Sequence, residues 1–245
     1  MINDKQGDST SFGGNVIVFI DLDGTIMKFP FKRKILPIAF KEVSDRTGIR
    51  LNKIKQMMAE EEWIRERTLN NKRYDWDDIV RTIAGRLGIS WDKDLAEIAE
   101  NCTISKDLLY PYAKKVLKAL KKHYIVCAAT NGFYRYQNLM MEKLGLKMFF
   151  DQVITPDRVG YYKNDFEYFK PYLIQYALPI MVGDEYFYDI YCPKRFGFKT
   201  VLVNRPQNSK WNLETASSSN GDTIEPDITV HDLAELPQAI IRVVG

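Results

Sequence analysis

The feature that most constrains this chain is a run of five apolar residues, Val16–Ile20, ending in Asp21-Leu-Asp-Gly-Thr25. A strand with one wet face alternates apolar and polar side chains. A strand that is apolar throughout must be covered on both sides, as in the middle of a parallel sheet. Further strand signals lie at 124–130, 149–154, 179–182, 200–204 and 228–230, those at 124–130 and 179–182 being apolar runs like the first. Helix-period segments separate them, at 112–122, 134–144, 166–176, about 188–196 and 236–242. This alternation predicts an α/β fold, a Rossmann-like parallel sheet sandwiched by helices.

One stretch breaks the alternation. Residues 28–34 read as a loop, and the chain to 108 shows helical periodicity only, at 35–47, 52–69, 75–87 and 91–100. Ile54, Met57, Met58 and Ile64 offer one buried stripe, and Trp76, Ile79, Ile83 and Leu87 another. The expected organisation is a core of 1–27 and 109–245, with 28–108 inserted as an all-helical cap domain. Trp63, Trp76 and Trp91 are expected in the core of that insertion, and the polar stretch 208–222 in a loop.

The balance of 35 basic and 32 acidic residues, net +3, with 45% hydrophobic residues, excludes both a disordered chain and a strongly basic nucleic-acid platform. Cys102, Cys127 and Cys192 form no disulfide framework, and two histidines are too few for a His-rich zinc centre. No apolar run approaches the roughly 20 residues needed to span a bilayer. A cytoplasmic protein with no membrane or nucleic-acid partner is expected, as a monomer or homodimer.

The chemistry lies at the strand ends, where ligands bind in such sheets. Asp21 and Asp23 are two residues apart on extended backbone and can face one ligand. Thr130 ends a second run, Asp184 a third, and Asp189 follows five residues on. Lys163 precedes a helix-period segment. Clustered carboxylates raise one another's pKa unless a cation offsets them, and hard oxygen ligands suit Mg²⁺. Lys163, Thr130 and the amides of Asn131 and Gly132 are instead donors for an oxyanion such as a phosphoryl group. Acids for a cation beside donors for an oxyanion imply phosphoryl transfer.

These motifs resemble the haloacid dehalogenase superfamily, with its helical-cap phosphatases. The matching segments are VIVFIDLDGT, YIVCAATNG with Thr130, Gly160-Tyr-Tyr-Lys163, and Gly183-Asp184 through Asp189, in the family's order. The usual Lys-Pro is here Lys163-Asn164, a change in loop shape more than in reacting groups. The resemblance implies that Asp21 is a nucleophile forming an aspartyl-phosphate and Asp23 the general acid and base. It implies that Thr130 and Lys163 bind phosphoryl oxygens with Asn131 and Gly132. Mg²⁺ would be held by Asp21, the Asp23 carbonyl and Asp184, with Asp189 as an outer ligand. The expected activity is a Mg²⁺-dependent phosphatase for a small phosphorylated metabolite. Alternatives are a phosphomutase, a carbon–halogen hydrolase, a phosphonate hydrolase with a cap lysine, and a non-enzymatic binding protein that keeps the cleft.

Overall fold

A computed structural model describes residues 15–174, 176–205 and 224–245. Its sheet has six strands, β1 (Val16–Ile20), β2 (Ile125–Ala129), β3 (Gln152–Ile154), β4 (Leu178–Gly183), β5 (Lys199–Val203) and β6 (Ile228–Val230). All pairings are parallel, and the order is β3-β2-β1-β4-β5-β6. The uniformly apolar β1 is central as its composition demands, and alternate side chains enter two cores. Val16, Val18 and Ile20 pack with the larger cluster, while Ile17 and Phe19 pack with Tyr168, Phe169 and Phe198. Ile20 pairs with Ala128 on one side and Val182 on the other. The carboxyl ends of β2, β1 and β4 therefore emerge together.

Beyond β1 the chain makes a tight turn in which Ile26 and Met27 both donate backbone N–H groups to the Leu22 carbonyl. It then runs through α1 (Pro30–Lys34), α2 (Leu36–Thr47), α3 (Leu51–Arg67), α4 (Trp76–Arg86) and α5 (Leu95–Glu100). No strand lies between 28 and 108. The excursion begins and ends at paired backbone: Lys28 N–H donates to Leu108 (2.8 Å) and Tyr110 N–H to Ile26 (3.1 Å). Asp75 and Asp94 cap α4 and α5 by accepting from the amides of Asp78 and Ala96. Among the described residues, α6 (Ala113–Leu120), α7 (Tyr134–Leu144), α8 (Pro156–Val159), α9 (Lys170–Leu173), α10 (Cys192–Arg195) and α11 (Leu236–Val244) are interspersed with the strands.

Several local expectations need correction. The stretch 28–34 contains α1, started by Pro30 in a position where its missing N–H costs nothing. The segment 166–176 is a 3₁₀ turn, Phe166–Tyr168, followed by the single-turn α9, which has Pro171 in its opening turn. The segment near 188 is a π-helix, Tyr186–Tyr191, leading into α10 at Pro193. The buried face of α3 carries an ion pair, Glu61 with Arg65 at 2.7 Å, beside Ile54 and Met58. Ile64 and Trp63 face outward, Trp63 with 60% exposure, whereas Trp76 and Trp91 are buried. A hydrophobic pattern read without the buried ion pair places Ile54, Met57 and Met58 on the inner face but wrongly adds Ile64 to it. The polar stretch 208–222 lies outside the described residues.

Candidate active site

The site starts from β1. Asp21 follows its last residue, and its N–H donates to Val182 of β4 (2.9 Å), tying the two strand ends together. Its carboxylate is buried and accepts from Lys163 Nζ at 2.7 Å. The same ammonium reaches Asp189 Oδ1 at 2.7 Å. Lys163 is held from its backbone, whose N–H donates to the Asn131 side chain (3.0 Å). Burial alone would lower its pKa, but Asp189 and Asp21 outweigh that and the net shift is upward. Asp189 lies on the π-helix, and its second oxygen accepts from the Glu185 N–H (3.0 Å).

Asp184, at the end of β4, completes the cluster. Ligand oxygens of Asp21, Asp184 and Asp189 lie within 4.8 Å of one another. Asp184 Oδ1 accepts from Thr25 Oγ1 (2.8 Å). Gly24 permits this approach: it has φ +93°, and a Cβ there would stand 2.3 Å from Asp184 Oδ2. Burial and the neighbouring carboxylates push the pKa values of Asp184 and Asp189 upward. Among the described residues, the Lys163 ammonium reaches two of these buried carboxylates, Asp21 and Asp189. The cluster's donors are all hard oxygens, which fits a small divalent cation.

Asp23 is different. Its carboxylate turns away from that cluster toward α7, where Oδ2 accepts from Gln137 Nε2 at 2.6 Å. Its pKa is raised to about 6, by burial first, opposed by the Gln137 bond and reinforced by Asp21. Thr130 sits across the cleft, its carbonyl accepting from the buried Tyr168 hydroxyl (3.0 Å) and its Oγ1 from the Gly132 N–H (3.1 Å). Asp21, Asp23, Thr130, Asn131, Gly132 and Lys163 thus line one cavity of about 110 Å³. Phe29, Phe31, Lys32, Tyr74 and Trp76, all from the helical excursion, form its other wall.

Every residue singled out from the motifs converges on this cleft or its floor. The motifs do not point to Thr25, Gln137 or Arg205. Thr25 reads in the sequence as no more than part of the turn. Gln137 carried a signal, since a polar residue on a helix face shared with Met140, Met141 and Leu144 needs a buried partner. Arg205 carried none: from beyond β5 it donates to the carbonyls of Gly24 (2.6 Å) and Thr25 (2.9 Å), with its guanidinium over the Tyr110 ring.

This constellation, at the carboxyl ends of parallel strands with helices inserted after the first, defines a hydrolase of the haloacid dehalogenase type. The model of the haloacid dehalogenase-like hydrolase family matches residues 16–197, and the chain belongs to that family. Among curated relatives, it is 27% identical to the pyrimidine 5′-nucleotidase YjjG of Escherichia coli K12 over 180 residues, 71% of this chain and 72% of that one. It is 25% identical to the glyceraldehyde 3-phosphate phosphatase of Methanothermobacter thermautotrophicus over 197 residues, 76% and 84% of the two chains. The fold matches a HAD phosphatase from Thermococcus onnurineus with a TM-score of 0.69, at 24% identity and 91% and 97% coverage. It also matches the L-2-haloacid dehalogenase of Xanthobacter autotrophicus with a TM-score of 0.58, at 19% identity and 92% and 98% coverage. No helix among the described residues is long and apolar enough to cross a membrane.

Proposed function

We propose that this hydrolase is a Mg²⁺-dependent phosphatase that cleaves a small phosphorylated metabolite through an aspartyl-phosphate on Asp21. The observation that carries the reading is the surroundings of Asp21: a lysine ammonium at 2.7 Å and, beside it, the acidic cluster with Asp184. A carboxylate is a weak nucleophile, and phosphoryl groups repel it until their charge is neutralised. Lys163 and Thr130 bind the phosphoryl oxygens, with Asn131 and Gly132 shaping the loop beside them. The 2.7 Å contact to Asp189 keeps Lys163 aimed there.

Asp21 forms a bond to phosphorus as the ester P–O bond breaks, and Asp23 gives its proton to the departing oxygen. Asp23 then takes a proton from water, which attacks phosphorus and releases phosphate from Asp21. Mg²⁺ would be held by Asp21, Asp184 and the Asp23 carbonyl, with Asp189 outside them, and would supply charge withdrawal from the phosphoryl group while offsetting the charge of the carboxylates. A raised pKa at Asp23 suits an acid that must also act as a base.

Residues 28–108 serve as a cap that closes on the cleft and excludes water. This assignment is supported by the paired backbone at 28 and 108 and by side-chain contacts across the seam. Tyr136 donates to Asp77 (2.7 Å), Arg135 pairs with Asp75 (2.8 Å), and Tyr162 donates to Asn71 (2.9 Å). The names of the two curated relatives, a nucleotidase and a triose phosphate phosphatase, agree with a small phosphorylated substrate. A cytoplasmic location and a monomeric or homodimeric state complete the reading, in line with cysteines that are all free.

The test is release of inorganic phosphate from a panel of phosphorylated metabolites with Mg²⁺ and with EDTA. Activity that needs Mg²⁺ and is lost in Asp21→Asn supports the reading. Full activity in Asp21→Asn, or in EDTA, refutes it. Transfer to an added sugar phosphate in place of water would identify a mutase.

A further inference from the structure

We propose that Gln137 is a positioning residue that holds Asp23 by one oxygen and leaves the other, Oδ1, to carry the proton given to the leaving group. The inference rests on the assignment of Asp23 as general acid and adds which of its atoms acts and what aims it.

The geometry is asymmetric. Asp23 Oδ2 accepts from Gln137 Nε2 at 2.6 Å, while Oδ1 is buried with no hydrogen-bond partner. Gln137 is itself only 5% exposed, and its Oε1 also has none. Only the amide nitrogen can donate to a carboxylate, so the pairing sets the amide's orientation. An N–H donor prefers the carbonyl-type oxygen of a neutral carboxyl group to its hydroxyl oxygen. When Asp23 is protonated, its hydrogen therefore resides on Oδ1. When that proton leaves, the same N–H stabilises the new carboxylate by a charge-assisted bond. The P–O electron pair goes to the ester oxygen, which takes the Oδ1 proton, while the Gln137 amide gives up nothing.

The framework keeps this contact in place. Gln137 lies one turn into α7 between the buried Tyr136 and the Met140–Met141 pair, so its backbone is fixed by packing. The path of its side chain is cleared by Gly132: a Cβ at that position would stand 2.3 Å from Gln137 Nε2. The short Thr130-Asn-Gly132 segment thus has a second use, letting an amide from the following helix reach the acid on β1's loop.

Leaving groups that differ in basicity separate this role from mere support of the fold. Phenyl phosphate needs a proton on its departing oxygen far more than 4-nitrophenyl phosphate does. Single-turnover release of the phenol reports the first half-reaction alone. In Gln137→Met, which keeps side-chain length but has no donor, the rate is expected to fall about 30-fold on phenyl phosphate and at most about 3-fold on 4-nitrophenyl phosphate. Gln137→Leu, which also has no donor, is expected to follow the same pattern and serves if the methionine variant does not fold. Asp23→Asn is run beside them. Steep leaving-group dependence in Asp23→Asn without it in the Gln137 variants overturns the role of Gln137 and leaves the acid in place. No such dependence in Asp23→Asn removes the acid itself. No release by the unaltered protein removes the phosphatase reading.

Discussion

Gly24→Ala is the substitution for which the structure dictates the largest effect from the smallest change. Two separate costs fall on that methyl group. The first is conformational, because φ +93° is a backbone state that side chains rarely adopt, with a cost of roughly 1–3 kcal/mol. The second is steric and local. The new Cβ would lie 2.3 Å from Asp184 Oδ2 and 2.6 Å from Oδ1, whereas ordinary contact starts at 3.4 Å. The carboxylate must therefore shift by about 1 Å from the place where it accepts the 2.8 Å bond donated by Thr25. Displacement on that scale within a reacting constellation costs about 100-fold in rate. The expected result is a kcat about 100-fold lower and a higher Mg²⁺ concentration for half-maximal activity. The melting temperature should fall by about 2–4 °C per kcal/mol of strain. Gly48→Ala is the internal control, since Gly48 has φ +70° but nothing within 4 Å of its Cβ position. It bears the conformational cost without the collision. If Gly24→Ala keeps the activity and Mg²⁺ response of Gly48→Ala, the crowding of Asp184 by the turn has no part in the site.

Three further outcomes are expected. Lys163→Met leaves the buried Asp21 and Asp189 carboxylates facing each other with no ammonium between them, so urea unfolding should show a loss of about 3–5 kcal/mol; a loss under about 1 kcal/mol refutes the ion-pair reading. In EDTA the raised carboxyl pKa values mean that the native state binds more protons than the unfolded chain above about pH 4. Stability then falls as pH rises, through about 6 for Asp23 and higher for Asp184, and Mg²⁺ at neutral pH restores it; a flat or rising urea midpoint from about pH 5 to 7 in EDTA contradicts this. Arg205→Met orphans the Gly24 and Thr25 carbonyls and should lower stability by about 3 kcal/mol in the same assay, and an unchanged midpoint would show that the turn holds without its clamp.

Much of this arrangement is legible in the sequence. The unbroken apolar run 16–20 could only be a strand covered on both sides, and its neighbours are the runs ending in Thr130 and Asp184, as the chemistry required. Local signals failed where buried polar groups intrude, as on α3, where Glu61 and Arg65 occupy the inner face. They failed again where proline interrupts a helical period, at Pro171 and Pro193.

Strand identity and the kind of residue at each strand end are written locally, because side-chain alternation and turn chemistry depend on a few consecutive positions. The neighbours of Asp23 and of the Gly24 turn are not. Gln137 is 114 positions from Asp23, and Arg205 is 181 from Gly24. Their contacts exist only because pairing β2 and β4 to either side of β1 lowers the free energy of the whole sheet. That choice is made by the folded chain collectively: the helix pattern around Gln137 shows that a polar group is buried there, but no local pattern names its partner.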